Sequence, residues 1–93
     1  MLTLSDKEIY LACGPTDMRK QINGLAAIVQ SSFGLDPCAD ALFVFCNRNR
    51  DRLKILEWDS DGFWLYFKRL EKGRFRWPSA AADEATMTFS REE

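Results

Sequence analysis

The alternation of apolar and polar residues divides the chain into one helix and several short strands. Residues 7–13 alternate well enough for a first strand. In that strand, Ile9 and Leu11 would lie on one face of a sheet, and Tyr10 and Ala12 on the other. The alternation therefore predicts a strand with apolar side chains on both of its faces.

A helix is predicted after Gly14 and Pro15, because apolar residues then recur at intervals of three and four. We expect Thr16 or Asp17 to cap its start and Gly34 to end it. The apolar stripe consists of Met18, Ile22, Leu25, Ala26, Val29 and Phe33. This is the one strong helix that the sequence predicts.

Further strands are predicted in the second half of the chain. Residues 42–46 are rich in aromatic and β-branched side chains, which favours a strand buried on both faces. Residues 52–58 and 63–69 form a predicted hairpin around the loop at 59–62. Residues 74–77 alternate again and predict a last strand.

The register that we expect in the hairpin decides which side chains share a face. It places Trp58 opposite Trp64 and Leu56 opposite Tyr66. One face of the sheet would then be apolar and pack on the helix, while the other would carry cations among aromatic rings. The cations predicted for that second face are Arg52, Lys54, Lys68, Arg74 and Arg76.

Together these elements predict a small α+β fold. We expect a mainly antiparallel β-sheet of four to six strands, with one amphipathic helix packed on one face. We place this single domain in residues 1–78. Residues 79–93 are predicted to be a linker and a truncated C-terminal segment, because residues 90–93 resemble a capping box without a helix after it.

Composition narrows the class of protein. The chain has 93 residues, 46% of them hydrophobic and 29% charged, with a net charge of -1, as in ordinary soluble domains. The N-terminus lacks the pattern of a secretory signal, so we expect a cytoplasmic protein. Three cysteines without CxxC spacing and the absence of histidine argue against a disulfide framework or a zinc site. We expect no metal and no cofactor.

Charge is distributed unevenly along this almost neutral chain. Residues 47–76 carry nine basic and five acidic side chains, a balance of +4. Residues 1–46 carry -2 and residues 77–93 carry -3. A local positive field attracts a polyanion even when the whole chain is neutral.

Cations that alternate with aromatic rings on strands are typical of surfaces that bind nucleic acids, because phosphates pair with the cations and bases stack on the rings. The candidate nucleic-acid contacts are Arg48, Arg50, Arg52, Lys54, Lys68, Arg69, Arg74 and Arg76. The candidates for base stacking or partner contact are Trp58, Trp64, Tyr66 and Trp77. From the residues alone, a surface that binds a partner protein and a solvated basic face remain alternatives.

The chain carries two weaker motifs beside this stretch. Arg19 and Lys20 stand at the predicted helix start, where backbone N–H groups could seat a phosphate, although simple capping explains the pattern as well. Asp59 and Asp61 could hold a divalent ion, but hairpin loops favour Asp for backbone reasons, and the turn is our interpretation. No spacing in the chain supports a catalytic residue, so we expect no enzyme.

Two long segments of the chain carry a family resemblance. GPTDMRKQINGLA at 14–26 and the stretch at 42–78, which ends in KRLEKGRFRWP, are similar to the second-open-reading-frame accessory proteins of the insertion-sequence-sixty-six family of bacterial mobile elements. These proteins are often called TnpB but are distinct from the RNA-guided nucleases of that label. The signature positions are Gly14, Pro15, Thr16, Asp17, Met18, Arg19, Lys20, Gly24, Leu25, Lys68, Arg69, Leu70, Glu71, Gly73, Phe75, Trp77 and Pro78.

This resemblance implies an accessory role in DNA transposition, beside a separate and larger transposase that contains the catalytic carboxylates. We therefore expect a non-catalytic adaptor that contacts the transposase of the same element, its DNA, or both. The alternative is a stand-alone β-sheet module that binds nucleic acid. A homo-oligomer is also expected as a possible assembly, and no membrane partner is expected.

Overall fold

The computed structural model describes residues 7–79 and 86–89 of the chain. The elements are β1 (Glu8–Ala12), α1 (Ile22–Ser31), β2 (Ala41–Cys46), β3 (Arg52–Asp59), β4 (Gly62–Arg69) and β5 (Thr86–Phe89). The five strands form one sheet in the order β4-β3-β2-β1-β5. The structure thus confirms a small α+β fold.

The sheet is mixed, so its expected antiparallel character is only partly confirmed. β1 and β2 are parallel, whereas the other three pairings are antiparallel. Parallel neighbours need a crossover connection, and α1 lies in the segment that links β1 to β2. As a consequence, β1 and β2 both end at the end of the sheet where β3 begins.

The core lies between α1 and the centre of the sheet. Leu25 and Val29 of the helix are fully buried and belong to one cluster with Phe43 and Phe45 of β2 and Leu56 of β3. All six residues of β2 are buried, as predicted for this strand. β2 occupies the middle of the sheet order, and its side chains are buried on both faces.

The register predicted for the β3–β4 hairpin is wrong by one residue. In the structure Trp58 lies opposite Phe63, and Leu56 lies opposite Leu65. A two-residue loop at Ser60 and Asp61 joins the strands, with Ser60 at a φ of 55°. The shorter loop moves every side chain of β4 to the other face relative to its expected partner on β3.

This shift removes the single cationic face that the sequence analysis predicted. Lys54 is in register with Phe45 of β2, and Arg52 lies beside the residues that follow β2. Both are on the face covered by α1. Lys68 lies on the opposite face, in register with Leu53. The cations of the hairpin are therefore split between the two faces of the sheet.

The helix begins later than predicted. Gln21 occupies the N-cap position, and no side chain caps this end. Asp17 instead accepts hydrogen bonds from the backbone N–H and the guanidinium of Arg19, which holds residues 17–20 in a turn. At the other end, Gly34 has a φ of 67° and reverses the chain three residues after the last helical residue.

Two further differences concern the C-terminal part of the chain. Residues 74–77 were predicted as a strand but run without regular secondary structure. β5, which no prediction covered, pairs with β1 and lies beyond the boundary predicted at residue 78. The capping box predicted at 90–93 lies outside the described residues.

Within the part of the chain that the structure describes, no helix combines the length and apolar character that a membrane span requires.

Candidate nucleic-acid interface

Three separate basic segments meet at one end of the sheet. They are residues 14–20 after β1, residues 47–52 between β2 and β3, and residues 69–78 after β4. We call their cationic residues the basic rim. The rim consists of Arg19, Lys20, Arg48, Arg50, Arg52, Arg69, Lys72, Arg74 and Arg76.

Backbone hydrogen bonds hold the three segments together. Phe75 donates its N–H to the carbonyl of Arg50 at 2.7 Å, which joins the last segment to the loop before β3. Gly14 donates to Pro78 at 2.9 Å, and Thr16 donates to Cys46 at 2.7 Å. The rim is therefore a fixed part of the fold and not three independent loops.

Trp77 fastens the last segment to the sheet. Its indole N–H donates to the carbonyl of Ala12 at 2.8 Å, and its side chain is half-buried. This contact gives a structural reason for the Trp77-Pro78 signature beside Gly14. Trp77 was a candidate for stacking or partner contact, and the structure places it at the rim with its ring N–H already bonded.

Asn47 organises the loop that presents Arg48 and Arg50. Its side-chain oxygen accepts the N–H groups of Asp51 and Arg52, both at 3.0 Å, and its amide donates to the Asp51 carboxylate at 2.7 Å. This last hydrogen bond is the main reason that the pKa of Asp51 is lowered. The loop is thus held rigid while both arginine side chains project into solvent.

The backbone at Arg50 is strained. Its φ is 61°, a conformation that residues with a side chain seldom adopt and that Gly or Asn would occupy more readily. An arginine here costs conformational energy, which points to a use for its side chain.

Positive charge is concentrated at this end. The three segments carry nine basic and three acidic side chains, a balance of +6, which leaves -7 for the rest of the chain. Three of the cations form ion pairs: Arg19 with Asp17, Arg52 with Asp51 and Arg69 with Glu71. The other six form no ion pair among the described residues: Lys20, Arg48, Arg50, Lys72, Arg74 and Arg76.

The opposite end of the sheet is acidic. β1 and β2 begin there, and the β3–β4 loop lies there. Its acidic residues are Glu8, Asp36, Asp40, Asp59 and Asp61, and its one described cation is Lys7. We call this the acidic end; the molecule is electrically polar along its strands.

Open depressions surround the rim on the side of α1. One is lined by Met18, Leu65 and Phe67 together with Arg19 and Arg52. Others lie between the Pro15 region and the loop at 47–50, and beside Trp77. The rim therefore combines cations with shallow apolar surface, which suits phosphates and the flat faces of bases or sugars.

Lys54 lines the first of these depressions but is not an exposed cation. Its side chain is 6% exposed, and its ammonium donates to the carbonyls of Met18 and Lys20, each at 2.9 Å. The expectation that Lys54 lies on an open cationic face is wrong, because α1 and the turn before it cover this part of β3. Lys54 instead ties the turn at 17–20 to the sheet.

The other three aromatic candidates, Trp58, Trp64 and Tyr66, lie away from the rim. Trp58 packs edge to face against Phe63, with ring centroids 5.0 Å apart, near the acidic end. Trp64 stacks on Tyr66 at 6.1 Å, on the face turned away from α1. Trp64 is 48% exposed and its indole donates to Asp59. These three rings thus lie apart from the rim cations, and of the hairpin cations expected around them Lys68 shares the face of Trp64 and Tyr66.

One residue of the rim, Lys72, is not among the contacts predicted from the sequence; it lies in the turn between two predicted strands. Asn47, which shapes the loop beside the rim, is not among them either, although an Asn that opens a polar loop after a strand is a known turn signal. The described residues contain no group of three His, Cys, Asp or Glu side chains that could hold a metal ion.

Comparison with known proteins places the chain in context. Residues 7–93 match the model of a family described as "IS66 Orf2 like protein". Two proteins of Sinorhizobium fredii (strain NGR234), named uncharacterized proteins y4hO and y4jC, are 44% and 41% identical over 72 and 70 residues. These alignments cover 77% and 75% of this chain, but 63% and 60% of the two relatives. The chain thus spans less than two thirds of their length, and no solved structure matches it.

Proposed function

Because the chain belongs to the family of IS66 Orf2-like proteins, we propose that it is a non-catalytic adaptor in transposition whose basic rim binds DNA of the insertion sequence. The family is one of accessory proteins related to transposition and not of known enzymes. The DNA contact is our proposal. The observation that carries it is the concentration of +6 at one end of a chain whose net charge is -1.

Phosphates are the natural ligands of such a surface. Six rim cations form no ion pair among the described residues, so their N–H groups can donate hydrogen bonds to an anion. Acidic residues that would repel DNA are gathered at the opposite end. Contacts of this kind position a protein on DNA without reading its sequence, so the rim supports affinity more than specificity.

Binding of a duplex from the element end, followed by fluorescence anisotropy at several salt concentrations, tests this proposal. If about five cations contact phosphates, log K should fall against log salt with a slope of about -4.5. Replacing Arg74 and Arg76 together by Ala should make the slope shallower by about 2. No retained DNA at low salt, or a flat salt dependence, would refute the proposal.

Lys68→Ala is the matched control. Lys68 is an exposed cation on the face turned away from α1 and outside the rim. Its loss should change the slope by less than the loss of one rim arginine. If Lys68→Ala weakened binding more than the Arg74 and Arg76 pair, the sheet face and not the rim would be the DNA surface.

The transposase of the element is the second proposed partner. Trp64, which is 48% exposed and stacked on Tyr66, is favoured as a contact because interface centres are enriched in such rings. Co-purification with the transposase, with and without element-end DNA, should recover a complex. Trp64→Ala should weaken that complex while thermal unfolding stays unchanged. Recovery of DNA but never of transposase would instead support a stand-alone nucleic-acid-binding module.

A further inference from the structure

β4 is an edge strand of unusual composition. In the described residues it pairs with β3 alone, along its full length from Gly62 to Arg69. An edge of eight residues presents a row of unpaired N–H and C=O groups that can bind another strand. β4 contains neither a proline nor a bulge, and its charged side chains, Lys68 and Arg69, stand only at its last two positions.

Large apolar side chains stand exposed along this edge. Phe67 is 56% and Trp64 48% exposed, and they are the large hydrophobic side chains with the greatest exposure among the described residues. They point to opposite faces, since Phe67 is in register with Lys54 and Trp64 with Glu57. Both faces of the edge therefore offer apolar surface to a strand added beside it.

The charges at the two ends of β4 are of opposite sign. Lys68 and Arg69 stand at its last two positions, and Arg69 belongs to the basic rim. Asp61, exposed in the hairpin loop, precedes its first residue at the acidic end. A strand that ran antiparallel to β4 and carried the same charges would thus meet opposite charge at each end.

We propose that β4 pairs antiparallel with β4 of a second copy of the chain, so that two sheets join into one of ten strands about a twofold axis. In the register that we propose, Leu65 lies opposite Leu65 of the second copy. This register pairs aromatic side chains with each other and opposite charges with each other. It places Phe67 opposite Phe63 of the second copy and Trp64 opposite its Tyr66. It also brings Arg69, whose exposed side chain pairs with Glu71 of its own chain, opposite Asp61 of the second copy, twice per dimer because of the symmetry.

Antiparallel pairing of the two β4 strands is more favourable than parallel pairing. Parallel pairing would place rim against rim and acidic end against acidic end, and like charges directly opposite each other oppose association. Antiparallel pairing instead joins aromatic side chains on both faces, which are favourable cross-strand pairs. The inference does not depend on DNA binding by the rim.

The dimer would hold the two rims at opposite ends of the joined sheet. Eight residues of strand span about 27 Å at about 3.4 Å per residue. Each rim would stay open, since the contact involves the β4 edge and only Arg69 of the rim cations. Such a dimer can engage two DNA segments at once.

Sedimentation and light scattering over a range of concentrations test the proposal. The chain of 10.7 kDa should reach twice that mass as its concentration rises. Phe67→Glu should shift the protein to monomer, because a charge on an edge strand opposes pairing. Since Phe67 is largely exposed, thermal unfolding should show that this variant folds.

Charge exchange distinguishes this register from any other dimer. Asp61→Arg alone and Arg69→Asp alone should each raise the dimer Kd by about tenfold, because two symmetric contacts become repulsive. The double variant Asp61→Arg with Arg69→Asp should recover most of the dimer affinity. This recovery requires direct opposition of the two positions across the interface.

A protein that stays monomeric at every concentration would overturn the proposal. So would a dimer whose Kd is unaffected by Phe67→Glu and by both single exchanges, since another surface would then mediate it. If the chain remained monomeric and its β4 edge bound only the transposase, the edge would belong to that partner and self-pairing would be refuted.

Discussion

Replacing Lys54 by Met tests the assignment of this residue to the fold. Its ammonium donates to the carbonyls of Met18 and Lys20 at 2.9 Å, with the side-chain oxygen of Gln21 at 3.5 Å. Met keeps most of the apolar stem but leaves both carbonyls without this donor. The change therefore isolates the hydrogen bonds from the packing.

The expected cost follows from these contacts. A hydrogen bond that involves a charged group contributes about 1.5–3 kcal/mol, so two of them contribute about 3–6 kcal/mol. Burying an ammonium has a desolvation cost that Met avoids, which reduces the net loss to about 3 kcal/mol. For a domain of this size, that loss corresponds to a fall in Tm of about 12–24 °C.

Thermal and urea unfolding followed by circular dichroism measure this loss. Lys68→Met is the matched control, because Lys68 lies on the next strand and its side chain is exposed. The control should change the unfolding free energy by less than about 0.5 kcal/mol. Equal stability of the two variants would show that the Lys54 hydrogen bonds do not support the fold.

DNA binding gives a second and independent readout of Lys54. A phosphate contact would be lost in Lys54→Met, and the salt slope would become shallower by about 1. Because Lys54 is buried and its N–H groups are already hydrogen-bonded, we expect the salt slope of Lys54→Met to be unchanged at temperatures well below Tm. A shallower slope in a folded Lys54→Met protein would contradict our placement of this side chain.

Three further predictions concern the loops of the rim. Arg50→Gly should weaken DNA binding while Tm stays level or rises, because glycine relieves the positive φ at this position; a fall of more than a few degrees in Tm would contradict this. Asn47→Ala should lower the unfolding free energy by about 2 kcal/mol, measured in urea, because three hydrogen bonds are lost; no loss would mean that the loop holds itself. The Arg19 side-chain hydrogen bond lowers the pKa of Asp17 from 3.8 to about 2, so this pairing stabilises the turn above pH 3.8 and is lost as the pH falls through about 2. An NMR titration should show that midpoint, and Arg19→Ala should return it towards 3.8; an unchanged midpoint in the variant would exclude Arg19 as the cause.

The positions of the central elements could be predicted from the sequence because local alternation determines them. β2 was predicted at 42–46 and lies at Ala41–Cys46, and its burial on both faces follows from an unbroken apolar run. The faces of β1 were also predicted, since Tyr10 is in register with Phe43 of the core. In these segments the pattern of side chains leaves one interpretation.

The hairpin register could not be predicted in the same way. Asp59-Ser60-Asp61-Gly62 fits a loop of two residues or a longer one, and a glycine suggested the longer. The structure places the positive φ at Ser60, where no glycine marks it. A loop shorter by one residue moves every side chain of β4 to the face opposite the predicted one. The predicted cationic face depended on the longer loop.

The basic rim was beyond the reach of the sequence for a different reason. The excess of charge in residues 47–76 was evident, but Arg19 and Lys20 are more than twenty residues away in the chain. Only the parallel pairing of β1 with β2 places the segment after β1 beside the loop after β2. Long-range topology, and not local pattern, gathers the cations.

The separation of charge along the strands has a kinetic consequence. A molecule with a positive and a negative end has a permanent dipole moment, although its net charge is close to zero. In the electric field of a nucleic acid such a dipole experiences a torque that turns the rim forward before contact. Productive encounters then occur more often than random rotation allows, and added salt should slow association first.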